Sequence, residues 1–416
     1  MTPDDPSRPD ATPDASSTPQ SSPPLPGGEG RSEGSEGLQR ASDPSSGASS
    51  SMPHDASPHS SDSAANPGHM DSRLRGNDGI GEGGAANELA TGPTDEFAPS
   101  IDLKPLAQTI DRLRDEIGKL IVGQAGFVDE VLAAILAGGH VLIEGVPGVA
   151  KTLTAKLIAK ASGLDYNRIQ FTPDLMPADV LGTSVFSPKT GEFAFHKGPI
   201  FAQIVLIDEI NRAPAKTQAA LFETMEERQA TVDGVTYPLP APFVVLATQN
   251  PVEHEGTYRL PEAQLDRFLF KVLVGYPSVD EESEILQRFQ DHGGKVDLDR
   301  VGTILTAEEI EQARAAVRTI RVDPKVLRYA AEIVSATRSH PALSLGASPR
   351  ASIALVTGAK AVASMSGRDF ATPDDVRAVV GPALRHRIQL TPEREIEGVR
   401  PGSVLRRIVE EVEVPR

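Results

Sequence analysis

Gly145-Val146-Pro147-Gly148-Val149-Ala150-Lys151-Thr152 stands between an apolar run, His140–Glu144, and a helical pattern, Thr152–Ala161. Strand, glycine-rich turn and helix in that order are what a phosphate-binding loop requires. Small residues let successive backbone N–H groups wrap phosphate oxygens, and the positive end of the following helix points at them. Lys151 would neutralise the β- and γ-phosphates of a bound ATP, and the Thr152 hydroxyl would ligate Mg²⁺. The nucleotide-binding stretch then comprises Gly145, Val146, Pro147, Gly148, Val149, Ala150, Lys151, Thr152 and Leu153. One residue departs from the common pattern: Ala150 stands where glycine is usual, immediately before the lysine. Its methyl group is tolerable if the residue has a negative φ, as expected at the entrance to a helix.

Downstream, Ile204-Val205-Leu206-Ile207-Asp208-Glu209 reads as a buried strand ending in two acids. In an open α/β sheet such a strand end borders the nucleotide crevice. Asp208 would hold Mg²⁺, mostly through water, and Glu209 would accept a proton from the water that attacks the γ-phosphate. An acid beside the metal-binding Asp favours hydrolysis over a simple nucleotide switch, and the sequence has no Asn-Lys-x-Asp guanine-reading motif. A third buried run, Phe243–Ala247, leads into Thr248-Gln249-Asn250. Asn250 would fall between the turn and the acids, able to orient the water or touch the γ-phosphate, with a capping role ahead of Pro251 as the alternative.

Further strands are expected at Arg168–Phe171 and Phe270–Val274, with helical patterns separating most of the strands. Short apolar strands alternating with helices indicate a parallel sheet covered on both faces. From about Ser278 strand signals stop, and helices are expected at Glu281–Gln290, Ala307–Thr319, Pro324–Ser339, Pro349–Met365 and Pro373–Leu384, several opened by an Asp, Thr or Ser cap and an early Pro. Residues 1–100 are dominated by Ser, Pro, Gly, Asp and Ala. Such a segment buries too little apolar surface to offset chain entropy and is expected to be a disordered low-complexity tail, either a tether or a dispensable extension. The expected division is therefore 1–100, a nucleotide-binding core at 101–277 and a helical domain at 278–416.

The phosphate turn, Ile207–Pro214 (IDEINRAP), Ala247–Pro251 (ATQNP), Leu260–Phe268 (LPEAQLDRF) and Arg168–Asp174 (RIQFTPD) together resemble the MoxR branch of the AAA+ ATPases. The resemblance runs from about Ile101 to Arg416. It implies an α/β fold: a P-loop NTPase αβα parallel-sheet core followed by a helical lid. It also implies self-assembly into rings, usually hexamers, with ATP bound between subunits. Chaperone-like remodelling of partner proteins is implied too, including proteins with von Willebrand factor A domains. Arg267 resembles the arginine finger that reaches a neighbour's γ-phosphate, with Arg259 and Arg212 as competitors and a structural salt bridge to an acid such as Asp266 or Glu262 as the alternative. Arg350 resembles the second sensor, linking lid position to the γ-phosphate. Val122-Gly123-Gln124 resembles the segment that packs near adenine. Two hairpins are expected, Val185–Phe195 and Ala230–Tyr237, the second with the strong Asp233-Gly234 turn signal. In related rings such insertions contact substrate; the alternative is that both pack on the core.

A net charge of −17 over 416 residues argues against a general nucleic-acid binder, because phosphate contacts need clustered Lys and Arg. The absence of cysteine removes disulfides and thiolate-ligated metals and fits a reducing compartment. No apolar run reaches the roughly 18–20 residues that span a bilayer, so no membrane insertion is expected. A cytoplasmic protein is the resulting expectation. The histidines make no zinc spacing, and no Gly-x-Ser-x-Gly elbow is present.

Overall fold

The computed structural model describes residues 101–415 apart from 251–257, 259, 292 and 294–296. The expected tail (1–100) and Arg259 lie outside the described residues.

Two helices lead in, α1 (Lys104–Gly118) and α2 (Ala125–Ala137), the latter ended by Gly138 in the left-handed region. The chain then runs through β1 (His140–Gly145), α3 (Lys151–Ala161), β2 (Tyr166–Gln170) and α4 (Pro177–Leu181). A hairpin follows, β3 (Gly182–Ser187) with β4 (Glu192–Lys197), and then β5 (Ile204–Asp208) and α5 (Ala215–Glu227). A second hairpin, β6 (Gln229–Val232) with β7 (Val235–Pro238), precedes β8 (Val244–Gln249), the short α6 (Glu262–Leu265) and β9 (Phe268–Val274).

β2, β5, β8, β1 and β9 form one sheet in that order, every neighbouring pair parallel. Ile204, Val205, Leu206 and Ile207 are all fully buried, which explains why the run is apolar throughout rather than alternating: both faces are covered. Val141, Ile143, Val244, Leu246 and Phe270 belong to one core with α1, α2 and α3. Leu142, Val205, Val245 and Phe268 face a second core with α5.

The β6–β7 turn places Asp233 (φ 51°) and Gly234 (φ 78°) both at positive φ, the backbone of a two-residue hairpin turn that suits strand twist. The hairpins meet where Phe195 stacks on Tyr237, ring centroids 4.1 Å apart. Beyond that contact, Phe186 and Phe193 lean on each other at 5.3 Å, with Phe193 73% exposed. Phe195 therefore packs between the two hairpins, while Phe193 projects from them.

After β9 come α7 (Val279–Asp291), α8 (Ala307–Thr319), α9 (Pro324–Ser339), α10 (Pro349–Met365), α11 (Pro373–Leu384), α12 (Pro392–Ile396) and α13 (Pro401–Glu411). The expected Thr and Asp caps form: Thr306 and Thr372 make reciprocal boxes with Glu309 and Asp375, and Asp323 accepts from Lys325 N–H, whereas Ser348 ahead of Pro349 makes no side-chain cap bond. Contrary to expectation, strands do not stop at Ser278. Arg321–Val322 pairs with Phe370–Ala371, and Leu343–Leu345 pairs with Gln389–Leu390. Strands of two or three residues are too short to show alternation in sequence. Among the described residues no helix is long and apolar enough to cross a membrane.

The helical part packs on the sheet part through one continuous apolar core. Arg387, its side chain 3% exposed, reaches out of that core to Asp266 at 2.5 Å and also donates to the carbonyls of Phe268 (2.8 Å) and Leu269 (3.1 Å). Ser348, ahead of α10, donates to the other oxygen of Asp266 at 3.1 Å.

Candidate nucleotide site

Parallel strands deliver all their C-terminal ends to one edge of a sheet, and here β1, β8 and β5 are neighbours. The residues that follow them, the 145–152 turn, Asn250 and the Asp208-Glu209 pair, are therefore brought together, with Asn250 between the other two. Asp208 and Asn250 are buried. Lys151 donates its ammonium hydrogen to the Gly145 carbonyl across the turn.

The turn corrects one expectation. Ala150 has φ 57° and ψ 19°, in the left-handed region, not the negative φ expected of it. As the N-cap it lies outside the helix proper, and reversing the chain there carries it across to positive φ. For a residue with a Cβ this costs about 1–2 kcal/mol, which explains why glycine is common at that position. Gln124 (φ 57°) and Glu209 (φ 59°) share the conformation. Three strained residues at one site indicate a backbone held by its surroundings. For Ala150 the holding contact is adjacent: the Gln124 side chain donates to the Val149 carbonyl at 2.9 Å.

Val122, Gln124, Gly148, Val149 and Leu153 line a cavity of about 250 Å³ beside the turn, together with Pro277 and Phe289. A mostly apolar slot opening next to a phosphate cradle has the character of a base pocket. The expected Val122–Gln124 segment thus contributes both wall and backbone support.

Asp208 accepts from the Thr248 hydroxyl on Oδ1 (3.1 Å); Oδ2 lies 3.5 Å from the Thr152 hydroxyl. A hydroxyl and a carboxylate oxygen, both hard donors, suit Mg²⁺, which takes one or two protein ligands and completes its shell with water and phosphate. Thr152 and Asp208 are the residues that fit it. Glu209 accepts from the Gln170 amide at 2.8 Å and pairs with Arg212 at 3.1 Å. Arg212, a competitor for the finger role, therefore lies beside the acid of its own chain.

Arg267 and Arg350 are not brought to this edge. Arg267 immediately precedes β9, whose first residue pairs with His140 at the start of β1. That is the opposite edge, a strand length of roughly 16 Å away at about 3.3 Å per residue. There both arginines converge on Glu226: Arg267 Nη1 on one oxygen at 3.0 Å, Arg350 Nη2 on the other at 2.8 Å. Arg267 also donates to the Phe222 carbonyl at 2.5 Å. The expected alternative, a salt bridge, is thus present, with Glu226 on α5 as its acid in place of the two suggested. A cavity of about 280 Å³ opens here, lined by Arg228, Arg267, Arg350 and Arg387 against Glu226 and Asp266. His140 in its wall is buried; it accepts from Val245 N–H at Nδ1 (3.0 Å) and so donates from Nε2 to the Met225 carbonyl (3.1 Å). Burial pushes its pKa down to about 4, which keeps it neutral.

Sequence reasoning missed three residues: Glu226, Arg168 and Gln170. Arg168 donates from Nε to Asp208 Oδ2 at 2.5 Å, and Gln170 holds Glu209. The available signal was Arg-Ile-Gln itself, polar residues flanking a buried one on a strand; which strand they would face is a matter of sheet order. Glu226 left no signal, being one of several acids on α5.

Residues 140–270 match the family described as ATPase family associated with various cellular activities (AAA), and residues 335–408 match the AAA lid domain. Over 314 residues the chain is 46% identical to the uncharacterized protein YeaC of Bacillus subtilis, spanning 76% of this chain and 96% of that one. Chaperone MoxR1 of Mycobacterium tuberculosis is 43% identical over 317 residues (74% and 83%). Protein MoxR of Methylorubrum extorquens is 32% identical over 314 (68% and 89%). A solved structure of a Cytophaga hutchinsonii protein superposes with a TM-score of 0.70 at 40% identity, covering 76% of this chain and 97% of that one.

Proposed function

The chain belongs to the MoxR family of AAA+ ATPases, and from that premise we propose that it hydrolyses Mg-ATP between subunits of a ring, a hexamer, to remodel partner proteins. Proteins carrying von Willebrand factor A domains are the first partners to test. The word chaperone in the name of the 43% identical relative supports the remodelling role.

One observation carries the hydrolytic reading: Lys151, Thr152, Asp208 and Glu209 converge on one sheet edge, with the Thr152 hydroxyl facing Asp208. Lys151 and the turn's N–H groups bind the phosphates. Thr152 and Asp208 would hold Mg²⁺, which would supply positive charge against the phosphates. Glu209 takes a proton from water as the water oxygen bonds to the γ-phosphorus and the bond to the bridging oxygen breaks, leaving ADP and phosphate. Asn250 orients that water.

The ring reading is supported by the other edge. Two arginines roughly a strand length from their own phosphate turn are too far to serve it, and both sit partly exposed on one carboxylate. There they are placed to meet a neighbour's γ-phosphate, where added positive charge stabilises the transition state.

In the decisive experiment Glu209→Gln retains ATP binding and loses turnover, whereas Lys151→Ala loses both. Mixing Arg267→Ala with Glu209→Gln subunits restores part of the activity, because some interfaces then combine an intact acid with an intact arginine. Parent-rate hydrolysis by Glu209→Gln would remove the assigned base, and no recovery on mixing would remove the interface.

A further inference from the structure

The oxygen of Asp208 that faces Thr152 is already taken. Oδ2, 3.5 Å from the Thr152 hydroxyl, accepts the Arg168 Nε–H at 2.5 Å, while Oδ1 is occupied by Thr248. Asp208 is 7% exposed, so its charge has little help from solvent and depends on these partners. The Arg168 side chain is 51% exposed and donates its Nη2–H to the Gln170 side-chain oxygen at 3.2 Å. The guanidinium can therefore leave the carboxylate without being stranded: water is on one side, and a second acceptor lies two residues along the same strand.

We propose that Arg168 is a resident counter-cation for Asp208 which a divalent metal must displace, so that the nucleotide-free chain resists the bare ion and accepts it together with a triphosphate. The proposal rests on the reading of Asp208 and Thr152 as the metal position. A single positive charge neutralises a single carboxylate but adds nothing for the phosphates. A metal ion arriving with ATP gains the phosphate oxygens as further ligands, which offsets the lost ion pair; the ion alone has no such compensation. Arg168 acts through Asp208 and is a positioning residue in this scheme.

The experiment uses the full chain without nucleotide and Mn²⁺ as a paramagnetic probe, read by electron paramagnetic resonance. Arg168→Gln binds one Mn²⁺ about three- to tenfold more tightly than the parent, the worth of one half-exposed charge-assisted hydrogen bond. The gain disappears in Arg168→Gln/Asp208→Asn, and Arg168→Lys, which keeps the charge, stays within about twofold of the parent. Arg168→Met is made in parallel, so that loss of folding in one variant leaves the other to decide. Equal or weaker Mn²⁺ binding by the uncharged variants overturns the proposal, as does a gain that survives Asp208→Asn. A fluorescent ATP analogue in the same samples separates the two readings. Failure of the parent chain to bind it sinks the ATPase assignment, while the Mn²⁺ comparison still judges Arg168.

Discussion

Replacing Asp266 by alanine tests how the helical lid is fastened to the sheet. Arg387 donates to Asp266 from a side chain only 3% exposed, and its burial already lowers the guanidinium's pKa. Removing the carboxylate leaves a buried cation, a change that typically costs 3–5 kcal/mol. The carbonyls of Phe268 and Leu269 continue to accept from Arg387, which puts the expected loss at the lower end, about 3 kcal/mol. A folded region of about 300 residues unfolds with an entropy near 0.6 kcal/mol per kelvin, so the midpoint should fall by about 4–5 °C. Differential scanning calorimetry of the nucleotide-free chain measures it. Adding Arg387→Met to Asp266→Ala should restore much of the loss, because an apolar side chain there needs no partner. A midpoint within 1 °C of the parent for Asp266→Ala, or a double variant no better than the single, would refute the view that this pair fastens the lid.

Two other outcomes are expected. Ala150→Gly relieves a left-handed alanine, and after the greater chain entropy of glycine in the unfolded state is set against it, the variant should be about 0.5–1 kcal/mol more stable by urea titration; destabilisation would mean that the alanine methyl packs to advantage. Glu130 on α2 has its pKa raised by burial to about 7, with Arg385 only partly offsetting this. Its folded form keeps a proton that the unfolded chain has released, so it costs stability progressively as pH rises from about 4.5 to 7. Glu130→Gln should match the parent near pH 4 and melt higher than it at pH 8; a constant difference across that range would show that the group does not titrate as described.

The chemistry-bearing turn and its acids were readable because each is local. A phosphate cradle needs its lysine, hydroxyl and small residues in fixed succession, and Gly145–Thr152 carries them within eight positions. Strand β5 betrayed itself by four consecutive aliphatic residues, since a strand covered on both faces has no polar side. Asp233-Gly234 announced its turn through the one backbone shape those residues favour. The conformation of Ala150 was misjudged for a converse reason: alanine's own preference says negative φ, and the surrounding contacts overrule it. The two- and three-residue strands of the lid escaped because they have no period to detect.

Sequence alone thus determined where the longer helices and strands form and which of them end in the phosphate-loop pattern and the paired acids, because periodicity and motif spacing act over a few residues. Tertiary structure alone decided who meets whom. Arg168 and Gln170 reach Asp208 and Glu209 only because β2 pairs with β5 in one register. Arg267 and Arg350 share Glu226 only because β9 lies beside β1 and the start of α10 lines the cavity at that edge. Strand order and register are fixed by apolar surfaces closing over long sequence separations, and no window of sequence contains both partners of such a contact.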